Sequence, residues 1–315
     1  MKHAALVAAS LTPILERDLP DLVIVQGDTS SALGGADAAA AFELAIAHVE
    51  AGLRTFDRAM PWPEEGNRVE IDRIADLLFA PTDGAAANLR AEGVRGEIHV
   101  TGNTGIDALH ATLASLPPPA APARGRSARA QAKGPLDLVV TCHRRENWGA
   151  RLNSLAVALV RLAREGTATI EVVLHPNPRI AEVMHLLFAN QPGMRLSMPT
   201  SHRAMVERMR RADLVLSDSG GVQEEAPTLG VPLLVLRDKT ERPEALATGN
   251  PRLVGTATAT IIEQVRSLAA DRAALRRMAE PHSPFGDGHA APRIAAHIRD
   301  WLYSRDRPKH VRLRA

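Results

Sequence analysis

The sequence predicts an α/β protein made of two doubly wound halves, each a parallel sheet with crossover helices. Three observations carry that expectation. Short apolar runs alternate with helix-like stretches along both halves. Several of these runs are apolar at nearly every position, as strands covered on both faces require. Between the halves, residues 117–135 combine proline, alanine and scattered positive charge without periodicity, which marks a linker. At 315 residues the chain also exceeds the usual size of one domain.

In chain order, the opening apolar stretch is interrupted by Thr12-Pro13 and by Glu16-Arg17-Asp18. It reads as a helix packed on the next strand rather than as a leader peptide. Strands are expected at 22–25, 46–49, 77–80 and 98–101, with helices at 36–45, 70–76, 84–92 and 104–113. These make a first domain over 1–116. A second domain, 136–291, opens with a strand at 136–140 and continues with strands at 170–174, 194–198, 214–217, 232–236 and 252–254. Its helices fall at 152–164, 179–190, 202–211, 222–229 and 258–279. A last helix spans 292–304, and 305–315 is a basic tail. Two such halves imply a cleft lined by the carboxyl ends of strands.

Composition removes several classes of function. The 38 basic and 36 acidic residues nearly cancel, so no dedicated nucleic-acid surface is expected. Cys142 is the single cysteine, which excludes an internal disulfide and fits a reducing compartment. No run approaches the ~18 consecutive apolar residues of a membrane span. A soluble, cytoplasmic protein is the reading. No C-x-x-C or H-x-x-x-H pair suggests a metal site, and no G-x-G-x-x-G or P-loop pattern suggests nicotinamide or P-loop chemistry.

Polar residues gather where the predicted strands end. Around 212–230 a buried strand runs into Asp218-Ser219-Gly220-Gly221 and then a helix that stops at Gly230. Glycines there let backbone N–H groups approach a ligand, and the helix N-terminus favours a phosphate. Glu225, about one turn further on, suits ribose hydroxyls, so the pair suggests a nucleotide. The competing reading is an ordinary strand–helix turn with glycines serving geometry alone. In the first half, Asp28, Glu50 and Glu64 each follow or precede a predicted element in a position to share one sheet edge. Clustered carboxylates raise one another's pKa, which lets one exchange a proton near neutrality. Any one of them alone reads equally as a helix cap. His143, beside two arginines at a strand end, suggests a contact to an anion or leaving group. His175 follows a strand as well, and either histidine could instead be a packed loop residue.

Taken together, these motifs resemble the non-hydrolysing UDP-N-acetylglucosamine 2-epimerases. The matching pieces are Gly27-Asp-Thr29, His48-Val-Glu-Ala-Gly-Leu-Arg-Thr55, Pro61-Trp-Pro-Glu-Glu65, Thr101-Gly-Asn-Thr104, His143-Arg-Arg-Glu146, His175-Pro-Asn-Pro178, the run from Asp218 to Pro227, the run from Arg237 to Glu244, and Pro284-Phe-Gly-Asp-Gly288. They occur in the family's order over nearly the whole chain. The resemblance implies two Rossmann-like domains of the glycosyltransferase-B-like kind, with the last helix crossing back to the first domain, and a homodimer. It implies interconversion of UDP-GlcNAc and UDP-ManNAc by elimination of UDP to a 2-acetamidoglucal and its re-addition, with no external cofactor. Position by position, Asp28, Glu50 and Glu64 resemble the catalytic acids and His143 the active-site histidine near the phosphates. Ser219, Gly220 and Gly221 resemble the diphosphate cradle, Glu225 the ribose contact, and His175 a glycosyl-nucleotide contact.

Two departures from the family pattern stand out. Family members open with a strand and a Gly-Thr-Arg-Pro-Glu loop, whose arginine and a following lysine reach the nucleotide. This chain begins at the helix before Asp28, so the first domain is expected to lack its N-terminal βαβ unit and the segment tied to allosteric nucleotide binding. At Met205 the family carries an aromatic that packs on uracil; methionine fills that space with less specific stacking. Action on another UDP-sugar, a hydrolysing epimerase, and a non-catalytic remnant that binds UDP-sugar remain the alternatives.

Overall fold

The computed structural model describes residues 2–117 and 134–304. Most of the expected linker and all of the expected basic tail lie outside the described residues. Contacts divide the chain into two units, one of residues 1–107 and 285–315, the other of 108–284. The division thus falls at 107 and 284, where the sequence reading had placed domain limits at 116 and 291.

The first unit runs α1 (Lys2–Asp18), β1 (Leu22–Gln26), α2 (Ser30–Ala41), β2 (Ala45–Val49), α3 (Glu64–Ile74), β3 (Leu77–Ala80), α4 (Asp83–Glu92) and β4 (Glu97–Val100). Its sheet is parallel with the strands in sequence order, β1-β2-β3-β4. Alternate residues of the central strands serve two cores. Ile46, Leu78 and Ala80 pack with Ala36, Ala39, Ile71 and Leu89 from the helices on one face. Ala47, Val49, Leu77 and Phe79 pack with Ile294 and Trp301 on the other. Double coverage explains why these strands read as unbroken apolar runs.

Two helices of this unit start earlier than expected. The predicted helix at 36–45 is α2, because the Thr29 hydroxyl accepts from Ala32 N at 3.1 Å and caps it. Gly34 is helical for a packing reason: a Cβ there would lie 2.5 Å from Ala4 O, so α1 can approach only a glycine. The helix predicted at 70–76 is α3, whose first turn takes Glu64 and Glu65, a favourable place for acids.

The second unit contains the end of α5 (Thr104–Ser115), then β5 (Leu136–Thr141), a 3₁₀ turn at Arg145–Asn147, α6 (Ala150–Arg164), β6 (Ala168–Val173) and α7 (Pro178–Phe188). It continues with β7 (Met194–Ser197), α8 (His202–Arg211), β8 (Leu214–Ser217), α9 (Gly220–Leu229) and β9 (Leu233–Val235). The remaining elements are α10 (Pro243–Ala247), β10 (Pro251–Leu253), α11 (Thr258–Ala270) and α12 (Arg272–Met278). The helix expected at 258–279 is broken at Asp271, whose carboxylate accepts from Ala273 N and Ala274 N and starts α12. A final helix, α13 (Ala290–Ser304), belongs to the first unit and supplies its Ile294 and Trp301.

The second sheet is parallel in the order β10-β9-β8-β5-β6-β7. One core packs Leu138, Val140, Ile170, Val172 and Leu216 against α6, α7, α11 and α12. The other packs Val139, Val173, Val215 and Leu233 against α5, α8 and α9. Strand order runs outward in both directions from the β5–β8 pair. That is a topological switch point, where neighbouring loops diverge and leave a crevice at the carboxyl ends. No described helix is long and apolar enough to cross a membrane.

Candidate functional site

In the second unit the switch point is built around Asp218, fully buried at the end of β8. Its carboxylate accepts from His143 N at 2.9 and 3.0 Å, from Arg144 N at 2.9 Å and from Asn147 Nδ2 at 2.9 Å. Because β5 and β8 are neighbours, this one side chain fixes the loop after β5 against the turn after β8. His143 is thereby held beside the Ser219–Gly221 turn. Its Nε2 is buried without a hydrogen-bond partner among the described residues. Burial, and then the nearby His175, hold the His143 pKa below the ordinary histidine range, partly offset by Asp218. A neutral ring with an unspent nitrogen suits a hydrogen bond to a phosphate or leaving oxygen. His175 is brought to it, ring centroids 5.1 Å apart, and its Nδ1 accepts from Asn177 N at 2.9 Å.

At the turn itself, α9 begins at Gly220, two residues before the expected start. Ser219 is its N-cap, yet the hydroxyl makes no capping bond. The first-turn N–H groups, which have no intrahelical acceptor, are therefore not satisfied by that side chain. The two glycines differ. A Cβ on Gly220 would meet Arg242 Nη1 at 2.6 Å, whereas one on Gly221 would find only Ser219 Oγ at 3.9 Å. Arg242 donates to Glu224 at 2.6 Å and to Glu241, and Arg237 reaches Glu241 at 2.9 Å. This buried ionic floor puts a guanidinium beneath the helix N-terminus. Sequence reasoning assigned none of its members a role, although the run from Arg237 to Glu244 had been singled out.

Glu225, one turn into α9, is mostly buried, and its Oε1 lies 2.8 Å from His202 Nε2. Burial raises its pKa, against the opposing pull of His202. Met205, one turn along α8 from His202, is half-buried against the core formed by Val206, Met209 and Val222. Cys142 is buried, and burial pushes its thiol well up, so it is no nucleophile here.

In the first unit the three expected acids are brought to one end of the sheet, with partners the sequence did not reveal. Asp28, after β1, pairs with the buried guanidinium of Arg68, which also holds Glu65 at 3.1 Å. Asn67 Nδ2 donates to the Asp28 carbonyl at 2.8 Å, so α3 is tied to the Asp28 loop by two consecutive residues. Glu64 opens that same helix. Glu50, after β2, has φ 71°, a left-handed conformation uncommon for a residue with a side chain, and its carboxylate lies beside Gly27. The cluster is thus a mixed one, with Arg68 offsetting the acids' mutual repulsion.

Beneath it His48 is fully buried, with Nδ1 2.5 Å from Asp72 Oδ1 and Nε2 3.0 Å from the Gly27 carbonyl. Asp72 also binds Arg54 at 2.7 Å and accepts from Gly52 N at 3.1 Å. Burial opposes its ionisation, but His48 and Arg54 outweigh that and hold its carboxyl below the ordinary range. The motif His48-Val-Glu50 thus has a fully buried structural half and a half-buried one. His48 is held within β2, and Glu50 follows the strand's last residue.

One doubly wound unit with a switch-point turn and a second α/β unit with clustered acids define a two-domain Rossmann-like class. The comparisons sharpen this. The family model for UDP-N-acetylglucosamine 2-epimerase matches residues 1–299. The UDP-N-acetylglucosamine 2-epimerase of Yersinia pestis is 40% identical over 294 residues, covering 91% of this chain and 78% of the relative. The crystal structure of UDP-GlcNAc 2-epimerase from Neisseria meningitidis bound to UDP-GlcNAc superposes with a TM-score of 0.86 at 35% identity, covering 94% of this chain and 81% of that one. The Methanocaldococcus jannaschii enzyme in complex with UDP-GlcNAc and UDP gives 0.80 at 33% identity, covering 95% and 80%. The chain belongs to the UDP-N-acetylglucosamine 2-epimerase family, and its α/β fold class is the expected Rossmann-like one.

Proposed function

We propose that this protein interconverts UDP-GlcNAc and UDP-ManNAc, in a cytoplasmic pathway of polysaccharide precursors and as a homodimer. The observation that carries the reading is the Asp218 staple, which gathers His143 and the Ser219–Gly221 turn at the switch point of the second sheet. Uncapped N–H groups at α9, the Arg242 guanidinium below them and the unspent His143 Nε2 suit a diphosphate. Glu225 suits the ribose hydroxyls, and Met205 and His175 the flanks of the nucleotide-sugar.

The acids of the first unit take the proton work. A carboxylate removes the C2 proton of the sugar while the C1–O bond breaks. The C–H electron pair becomes the C1=C2 bond, and UDP departs with the bonding electrons. Re-addition of UDP at C1, with protonation of C2 on the opposite face, gives the epimer. Asp28, Glu50 and Glu64 are assigned these steps because they gather at one sheet end, with Arg68 paired to Asp28. In the second unit the acids Glu224 and Glu241 are tied up by Arg242 and Arg237, which suits a supporting role there.

The test is C2-proton exchange from UDP-GlcNAc in deuterated water, beside UDP titration calorimetry. D28N, E50Q and E64Q should each lower exchange by ~10²-fold or more while UDP affinity is nearly unchanged. E225A should weaken UDP by roughly 1–3 kcal/mol. Amide variants that lose UDP binding but keep exchange would reverse the assignment. Stoichiometric release of free UDP would point to a hydrolysing enzyme instead.

A further inference from the structure

His202 is a histidine that the proposed chemistry leaves without a task, although it touches the residue assigned to the ribose. Its Nε2 lies 2.8 Å from Glu225 Oε1, and its Nδ1 lies 3.2 Å from the Thr112 hydroxyl of α5. The imidazole therefore bridges three elements of the second unit: α5, α8 and α9. Each contact has a chemical sense. The Glu225 carboxylate only accepts, so Nε2 carries the proton and donates. A hydroxyl can donate or accept, so Thr112 serves Nδ1 in either protonation state of the ring.

Position in the fold makes the contact consequential. Ser201 caps α8, its hydroxyl accepting from Ala204 N at 3.3 Å, so the first residue of a fixed helix presents the ring. Arg203 of the same turn donates to Ser115 at 3.1 Å, which ties α5 to α8 a second time, and Glu207 lies 3.9 Å from Arg203. Arg203 and Glu207 are the charged neighbours on α8, and Glu225 faces the ring from α9. The Glu225 side chain is only 13% exposed, while that of His202 is 42% exposed. A mostly buried carboxylate with a long side chain has several rotamers to choose from, and one charge-assisted bond to a held donor selects among them.

We infer that His202 is a positioning residue for nucleotide recognition: held by Thr112, it aims the Glu225 carboxylate at the ribose hydroxyls and so sets the preference for a ribonucleotide. This inference rests on the assignment of Glu225 to the ribose.

The experiment measures binding of UDP and of 2′,3′-dideoxy-UDP by calorimetry to the full chain and to H202A, H202Q and E225A. The ratio of the two affinities isolates the ribose contact from the diphosphate contact. E225A should abolish the preference for UDP. H202A should lower it by ~10-fold while dideoxy-UDP affinity changes by less than ~2-fold, as expected for a mispositioned charge-assisted bond. H202Q, whose amide nitrogen can replace Nε2 as a donor, should return the preference to within ~3-fold of the parent. Equal losses for both nucleotides in H202A would mark a merely structural residue and overturn the inference. A preference kept in H202A but lost in E225A would overturn the positioning role alone. A preference kept in E225A would overturn the ribose assignment and the inference with it.

Discussion

The two units put acids at the ends of parallel strands and hold them in opposite ways. In the first, Asp28 is held by a side-chain cation, Arg68, and the supporting His48–Asp72–Arg54 cluster is also made of charged side chains. In the second, Asp218 is held by two backbone N–H groups and a side-chain amide. Strand order differs to match. The first sheet runs in sequence order, while the second reverses at β5–β8, the switch point where ligands bind in folds of this kind. The difference teaches what each acid is for. A carboxylate bound by backbone donors is fixed in place and serves as a scaffold for its loop. One paired with a guanidinium has a partner that a bound ligand can compete for.

Breaking the cation in the first unit should give the largest effect. R68M leaves Asp28 and Glu65 without their shared counter-charge in a mostly buried place, and should cost about 3–5 kcal/mol in chemical denaturation. A loss below about 1 kcal/mol would mean that water already screens those acids.

Next comes the scaffold of the second unit. D218A orphans the His143 and Arg144 N–H groups and should cost about 3 kcal/mol, with UDP binding lost as the two loops part. Tight UDP binding by a folded D218A protein would show that the crevice does not depend on the staple.

Gly220 tests whether the ionic floor really supports the turn. G220A drives a methyl into the Arg242 guanidinium and should destabilise by roughly 1–3 kcal/mol, whereas G221A should do far less. Equal effects at the two glycines would remove Arg242 from the account.

Acid titration sharpens the comparison from the other side. The folded pKa of Asp72 is depressed, so its stabilising contribution is present above the ordinary carboxylate pKa and is lost as pH falls toward the folded value. Stability of the parent should therefore drop through the acid range. D72N, already destabilised at neutral pH, should show a flatter profile in urea unfolding followed against pH.

The smallest expected effect is a gain. Gly66 lies within α3 with open space where a Cβ would go, so G66A should stabilise by about 0.5–1 kcal/mol. Destabilisation would show that α3 needs glycine for a neighbour other than the described residues.

By itself the sequence determined the α/β class, nearly every strand, and the stretches where chemistry gathers, because doubly covered strands are apolar along their length and the motifs lie at their ends. Val139 and Val140 enter opposite cores from adjacent positions, and no reading of one strand says which core takes which. Helix starts were legible only in part: the helix expected at 36–45 begins at Ser30, capped by Thr29, and Gly34 lies inside it because α1 packs against that position. The tertiary structure alone decided the partners. Arg68 reaches Asp28 across 40 residues, Asp218 reaches His143 across 75, and His202 reaches Thr112 across 90. Local pattern carries no record of such distances. The order of strands in a sheet sets them, and that order is chosen by the packing of whole helices onto whole faces.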